Sequence, residues 1–159
     1  MTNKITNNNN NNFKKFEVIE HLSDVMVQVY GRTLEELFEN AAYAMFSIIT
    51  DVESINKVVL EKAIIEVKQN IEIEDLLIIW LEKLLFLIET KNLIFSDFKI
   101  KNLIINENES KIDAVLKGEK INLQKHEFFL QIKAPTYHEL KIIKDDNSGI
   151  YRTKIIFDV

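Results

Sequence analysis

The chain contains no cysteine, one proline and three glycines. Without cysteine it has no disulfide, no thiolate zinc site, no iron–sulfur cluster and no thiol nucleophile, which is compatible with a reducing compartment. Three glycines can hardly build the loops that cradle phosphates. The sequence carries no Gly-rich phosphate loop with Lys and Ser/Thr, no dinucleotide fingerprint, no His-Glu-x-x-His and no Gly-x-Ser-x-Gly. Standard nucleotide cofactors are therefore not expected. Long apolar runs are missing too: Leu76 to Ile88 is cut by Glu82 and Lys83 and falls short of the roughly 20 apolar residues that cross a bilayer. Met1 to Asn12 offers asparagines where a signal peptide needs an apolar stretch, so a cytoplasmic protein, or a nuclear one in a eukaryote, is expected rather than a secreted one. Basic charge is also short. With 20 Lys and Arg against 25 Asp and Glu, the net charge is −5, which argues against strong direct binding of nucleic acid.

What is present is enough for one domain. A chain of 159 residues, 47% apolar, buries roughly two thirds of the surface its unfolded form exposes and needs no staples. The abundant Ile, Asn and Lys read as coding bias of an AT-rich genome. Six consecutive asparagines, Asn7 to Asn12, have nothing to bury and cannot offset the entropy of ordering. Residues 1–15 are accordingly expected to form a disordered tail, and residues 16–159 a single domain.

From Phe16 the pattern becomes periodic. Phe16 and Val18, then Val25, Val27 and Val29, alternate with polar or longer residues on either side of His21 to Asp24, which predicts two strands joined by a loop. Gly31 ends the second. Thr33-Leu34-Glu35-Glu36 is a capping box, with Thr33 bonding the Glu36 amide and Glu36 reaching back to Thr33. Leu34, Leu37, Phe38, Ala41, Met45, Ile48 and Ile49 then form one apolar helical stripe as far as about Thr50. Val58 to Val67 is β-branched and loosely alternating, a third strand. Glu74 to Thr90 is apolar almost all round and must be a central helix. Period-two runs follow at Ile94 to Ile105, Ile112 to Leu116, Phe128 to Lys133, His138 to Ile143 and Ile150 to Phe157, with hairpin turns at Asn106 to Glu109 and Asp145 to Gly149. The order predicts an α+β layered domain: two helices packed on mainly antiparallel sheet.

Few residues carry chemistry. His21, His126 and His138 fall at strand ends or loops, where each could serve as a general base or simply bond a neighbouring backbone group. Asp24 opens a valine-rich strand, where a carboxylate commonly accepts from nearby amides. Asp158 is odder: it follows Ile155-Ile156-Phe157 and precedes Val159, so a side-chain carboxylate stands beside the α-carboxylate. Two anions at one spot are costly unless exposed or neutralised, and hard oxygen donors suit calcium or magnesium. Lys125-His126 puts a cation beside an imidazole, suited to a phosphate or an acidic surface or else merely solvated.

Taken in order, these residues resemble the archease family, accessory proteins of the RtcB-type, GTP- and manganese-dependent tRNA ligase. The resemblance runs through His21-Leu22-Ser23-Asp24 to Tyr30-Gly31, then Thr33 to Ala42, Met45-Phe46 and Asp51. It continues at Leu76-Leu77, Trp80 to Phe86 and Phe95-Ser96-Asp97-Phe98, then at Gly118-Glu119, Lys125-His126, Lys133-Ala134 with Thr136-Tyr137-His138, and Phe157-Asp158-Val159. It covers Phe16 to Val159. It implies a non-enzymatic cofactor that promotes guanylylation of the ligase and its multiple turnover in joining tRNA exon halves. It also implies a divalent cation, usually calcium, held by Asp24, Asp158 and the last residue, Val159. His21 would adjoin these ligands, and Lys125 would contact the ligase or its phosphorylated substrate. Two departures stand out: Leu22-Ser23 replaces the usual Thr-Ala, and Pro135 stands where a branched aliphatic is typical. Proline removes a ladder donor, so the strand there should be an edge or be interrupted. The alternative reading is a small metal-assisted hydrolase in which the cation activates water and His21 or His138 acts as base.

Overall fold

The structure, a computed structural model, describes residues 13–20 and 23–159. The asparagine tract and His21 lie outside the described residues. In chain order the elements are β1 (Phe16–Glu20), β2 (Asp24–Gly31), α1 (Leu34–Ile49), β3 (Val59–Val67), α2 (Ile73–Lys91), β4 (Leu93–Ile105), β5 (Ser110–Lys120), β6 (Ala134–Thr136), β7 (Ile143–Lys144) and β8 (Tyr151–Asp158), with a short 3-10 turn over Val52–Ser54. The fold is α+β with two helices, as the periodicity predicts, but the strands divide between two antiparallel sheets. One runs β1-β2-β8-β6 with β7 also on β8; the other runs β3-β5-β4.

Helix α1 starts at Thr33, whose Oγ1 accepts from Glu36 N at 3.1 Å. The return half of the expected box is displaced by one residue, since Glu36 Oε1 accepts from Arg32 N rather than from Thr33. The helix ends on Thr50, with Thr50 N donating to Phe46 O. Its apolar stripe is buried from Leu37 to Ile49, with Leu34 half-buried at the start, and the helix bridges the sheets by packing on β2 and β4. Helix α2 lies against α1 and is nearly as central: Trp80, Leu76, Leu77, Leu81 and Leu84 are fully buried, and Trp80 Nε1 donates to Phe38 O at 2.9 Å. Phe46 packs edge-on against Phe95 and, at 4.9 Å between centroids, against Phe98. Each such side chain contributes about 1.5–3 kcal/mol by leaving water. Asn92 closes α2 in the left-handed conformation that asparagine tolerates, and its carbonyl accepts from Ile121 N.

Pairing reaches back before β1, because Lys15 O accepts from Tyr30 N at 2.9 Å. The Lys15 amine also sits over the Tyr43 ring, and Arg32 over Phe13. Phe13 to Lys15 thus lie against the folded body.

Two expected strands are not strands. Residues 128–133 form a strap whose first four side chains are exposed, tied at its ends by Phe129 N to Ile49 O and Lys133 N to Asp158 O. The strap carries the chain from one sheet to the other, so its aromatic alternation matches no sheet face. Within 138–143, Leu140 N closes a turn on Tyr137 O, Glu139 adopts positive φ, and only Ile143 joins a strand, paired with β8. Pro135 sits in β6, which among the described residues pairs with β8 alone and so lies at the sheet edge, where a missing donor costs nothing.

Candidate functional site

β2 and β8 pair in register over eight residues, from Gly31 opposite Tyr151 to Asp24 opposite Asp158. The alternation that buries Val27, Val29, Ile155 and Phe157 fixes this register, because a slip of one residue would turn all four outward. Residues directly opposite in an antiparallel pair project to the same side with Cβ atoms about 4.5–5.5 Å apart. Asp24 and Asp158, 134 positions apart in the chain, are therefore neighbours at one end of the sheet. Asp24 is half-buried and Asp158 exposed. β6 lies on the other side of β8, with Ala134 opposite Asp158 and Lys133 N donating to Asp158 O at 2.8 Å. Val159 packs its side chain against the core, which anchors the residue next to Asp158.

Like charges directly opposite in a sheet repel. No ion pair of Asp158 exists among the described residues. The donors gathered here are hard oxygens, matched to calcium or magnesium. Among the described residues no group of three or more His, Cys, Asp or Glu side chains is assembled. A cation here would complete its shell from oxygens of Val159, backbone carbonyls and water. In donor chemistry, two in-register carboxylates, one exposed and one half-buried, would suit such an ion.

The second charged motif proves to be an internal knot. Glu119, at the end of β5, accepts on Oε1 from Lys125 Nζ at 2.5 Å, His126 Nε2 at 2.8 Å and Asn56 N at 3.2 Å. The Lys125 ammonium and then the His126 bond hold its carboxyl down at about 2. His126 is buried, and its Nδ1 accepts from Asn122 N at 2.9 Å. The ring is thus the tautomer with its proton on Nε2, and both nitrogens are engaged. His126 is a structural residue of the 122–126 turn, and the Lys125 charge is spent on Glu119 instead of standing free. Sequence reasoning missed Glu119 as the centre of this knot. The available signal was one carboxylate six and seven residues before a Lys-His pair, separated by the turn-forming Asn122. His138 is exposed in the Tyr137–Glu139 turn, and His21 lies outside the described residues.

The described chain has no helix long and apolar enough to cross a membrane. The sequence model of the Archease protein family (MTH1598/TM1083) matches residues 16–159. Protein archease of Methanosarcina mazei is 35% identical over 146 residues, covering 92% of this chain and 97% of that protein. Protein archease of Pyrococcus furiosus is 40% identical over 131 residues, covering 81% of this chain and 88% of that one. Among solved structures, the solution structure of Methanobacterium thermoautotrophicum protein 1598 superposes with a TM-score of 0.76 at 30% identity, covering 92% of this chain and all of that one. A Thermotoga maritima crystal structure described as an archease, possible chaperone, gives a TM-score of 0.55 at 25% identity over 89% of this chain and 94% of that one. With the fold, the order of motifs and near full-length coverage in agreement, this chain belongs to the archease family.

Proposed function

We propose that this protein is an accessory factor, not itself a catalyst, of a GTP-dependent RtcB-type tRNA ligase, and that it acts through a divalent cation, most suitably calcium, held at the Asp24–Asp158 end of the sheet. Membership of the archease family supports the accessory role. The cation reading rests on one observation, the cross-strand register that sets Asp24 opposite Asp158. Asp24, Asp158 and the Val159 carboxylate would hold the ion. The ion would supply positive charge between two facing carboxylates. The chain's own contribution is to hold the two carboxylates in register on a rigid ladder, so that binding needs little rearrangement. Docking of this end near the ligase's guanylylation pocket would favour its active arrangement, which is where an accessory protein can raise turnover without chemistry of its own.

The experiment is reconstitution with the cognate ligase. Substoichiometric protein raises the rate of ligase–GMP formation and sustains multiple turnover in exon joining. Asp24→Ala and Asp158→Ala each abolish the gain while retaining the wild-type circular dichroism spectrum. Full stimulation by either variant would remove the proposed ligands from the mechanism, and turnover of a substrate by the protein alone would replace the accessory role with the hydrolase one.

A further inference from the structure

The three-stranded sheet has two outer edges, and the fold treats them differently. On β4 the register breaks twice, between Phe95 and Asp97 and between Ile100 and Asn102, and the Ile100 amide is capped by Glu39 Oε2 at 2.8 Å. Bulges and side-chain caps are the usual means of blunting an edge. On β3 there is neither. Its nine residues pair with β5 without a break from Val59 to Val67, they include no Pro or Gly, and among the described residues no strand joins the free side. Among the described residues no side-chain hydrogen bond, and no backbone bond beyond the β3–β5 ladder, reaches residues 59–67, whose ion pairs are those of Glu61 with Lys91 and Glu66 with Lys111. The outward face of this edge carries exposed apolar residues among its charges: Val58 is 76% exposed, Leu60 57% and Ile64 53%.

We infer that β3 is a self-association edge, on which a second copy of this chain pairs its own β3 antiparallel about Ile64. The choice of occupant comes from charge. Lys62 and Glu66 share the outer face with Ile64, and Lys62 has no carboxylate partner among the described residues. A two-fold axis through Ile64 sets Lys62 of each copy opposite Glu66 of the other and the two Ile64 side chains against each other. Shifting the axis by one residue either way puts Lys62 opposite Ile64 or opposite Lys68. Only the Ile64-centred register joins opposite charges and apolar groups at once while keeping the outer faces continuous. Glu66 also lies 3.7 Å from Lys111 of its own β5, so it would sit between two cations. Residues 61–67 of each copy pair, and the two sheets become one of six strands. So short a contact makes a weak, concentration-dependent dimer.

The absence of cysteine makes the test clean, since any introduced thiol is the only one. Residues facing each other across an antiparallel pair are about 4.5–5.5 Å apart at Cα, within disulfide reach. Mild oxidation of Ile64→Cys therefore yields a covalent dimer, while Val58→Cys, more exposed but far from the axis, stays monomeric. In sedimentation equilibrium the wild type dimerises, and Lys62→Glu raises the dimer Kd about tenfold because two opposite-charge pairs become like-charge pairs. The exchange Lys62→Glu with Glu66→Lys restores it. A wild type that stays monomeric up to about 1 mM, equal cross-linking at Val58→Cys, or no weakening by Lys62→Glu with the fold intact by circular dichroism would each overturn the proposal. Pairing of β3 with an extended segment of another protein would appear as the first of these.

Discussion

At the scale of single residues the most constrained group is Glu119. Its side chain is only 12% exposed and it accepts three bonds, two of them from Lys125 and His126. Its carboxyl is held at about 2, below the ordinary 4.5. A depressed carboxyl contributes stability above its unfolded value, and the contribution disappears as pH falls through the folded one. Glu119→Gln keeps the shape but loses the charge, leaving the buried His126 and the Lys125 amine with a weaker acceptor. It should cost about 1–3 kcal/mol at pH 7, measured by urea denaturation. The gap between wild type and variant should close as pH falls from about 4.5 toward 2. A gap independent of pH would mean that the carboxylate charge contributes nothing. None of this was legible from Lys125 and His126 in a loop, because the sequence shows adjacency along the chain and not which carboxylate the turn at Asn122 brings back.

At the scale of elements, the strand β5 closes on β4 through Gly118. A Cβ built there would stand 1.9 Å from Ile94 O and 2.8 Å from Phe95 Cα, both backbone atoms that cannot rotate away. Gly118→Ala should therefore destabilise by about 2 kcal/mol or more, read as a lowered urea midpoint. A wild-type midpoint would show that the two strands can separate locally. The helices and the long strands were legible in the sequence because one face of each is buried, so the side-chain period survives into the structure. Residues 128–133 and 138–143 were not, because hydrophobicity alternates there for other reasons. Phe128, Phe129 and Leu130 are largely exposed, and a short apolar run says nothing about whether a partner strand exists. Pro135 was the reliable local signal, since its missing donor allows it only an edge.

At the scale of the whole molecule, periodicity gave strands but not partners. The division into two sheets and the seating of β8 between β2 and β6 depend on long-range closure that a local pattern does not encode. The apolar residues before Asp158 demand a buried strand, but what that strand ends beside was implied only by the resemblance to the archease family. What it ends beside is Asp24, and that juxtaposition has a thermodynamic signature. Without cation, two acids facing each other across a ladder cost about 0.2–1 kcal/mol, so Asp158→Asn should leave the metal-free protein as stable as wild type or slightly more so. With calcium the order should reverse. Binding to the native state alone adds about 2.7 kcal/mol at one hundred times Kd, which for a domain of this size raises Tm by roughly 5–10 °C, and the variant should lose that rise. Differential scanning calorimetry of both proteins with chelator and with calcium decides the matter. Equal calcium-induced shifts would show that the ion binds elsewhere. A variant less stable than wild type in chelator would show that Asp158 is held by a favourable contact and not opposed by a like charge.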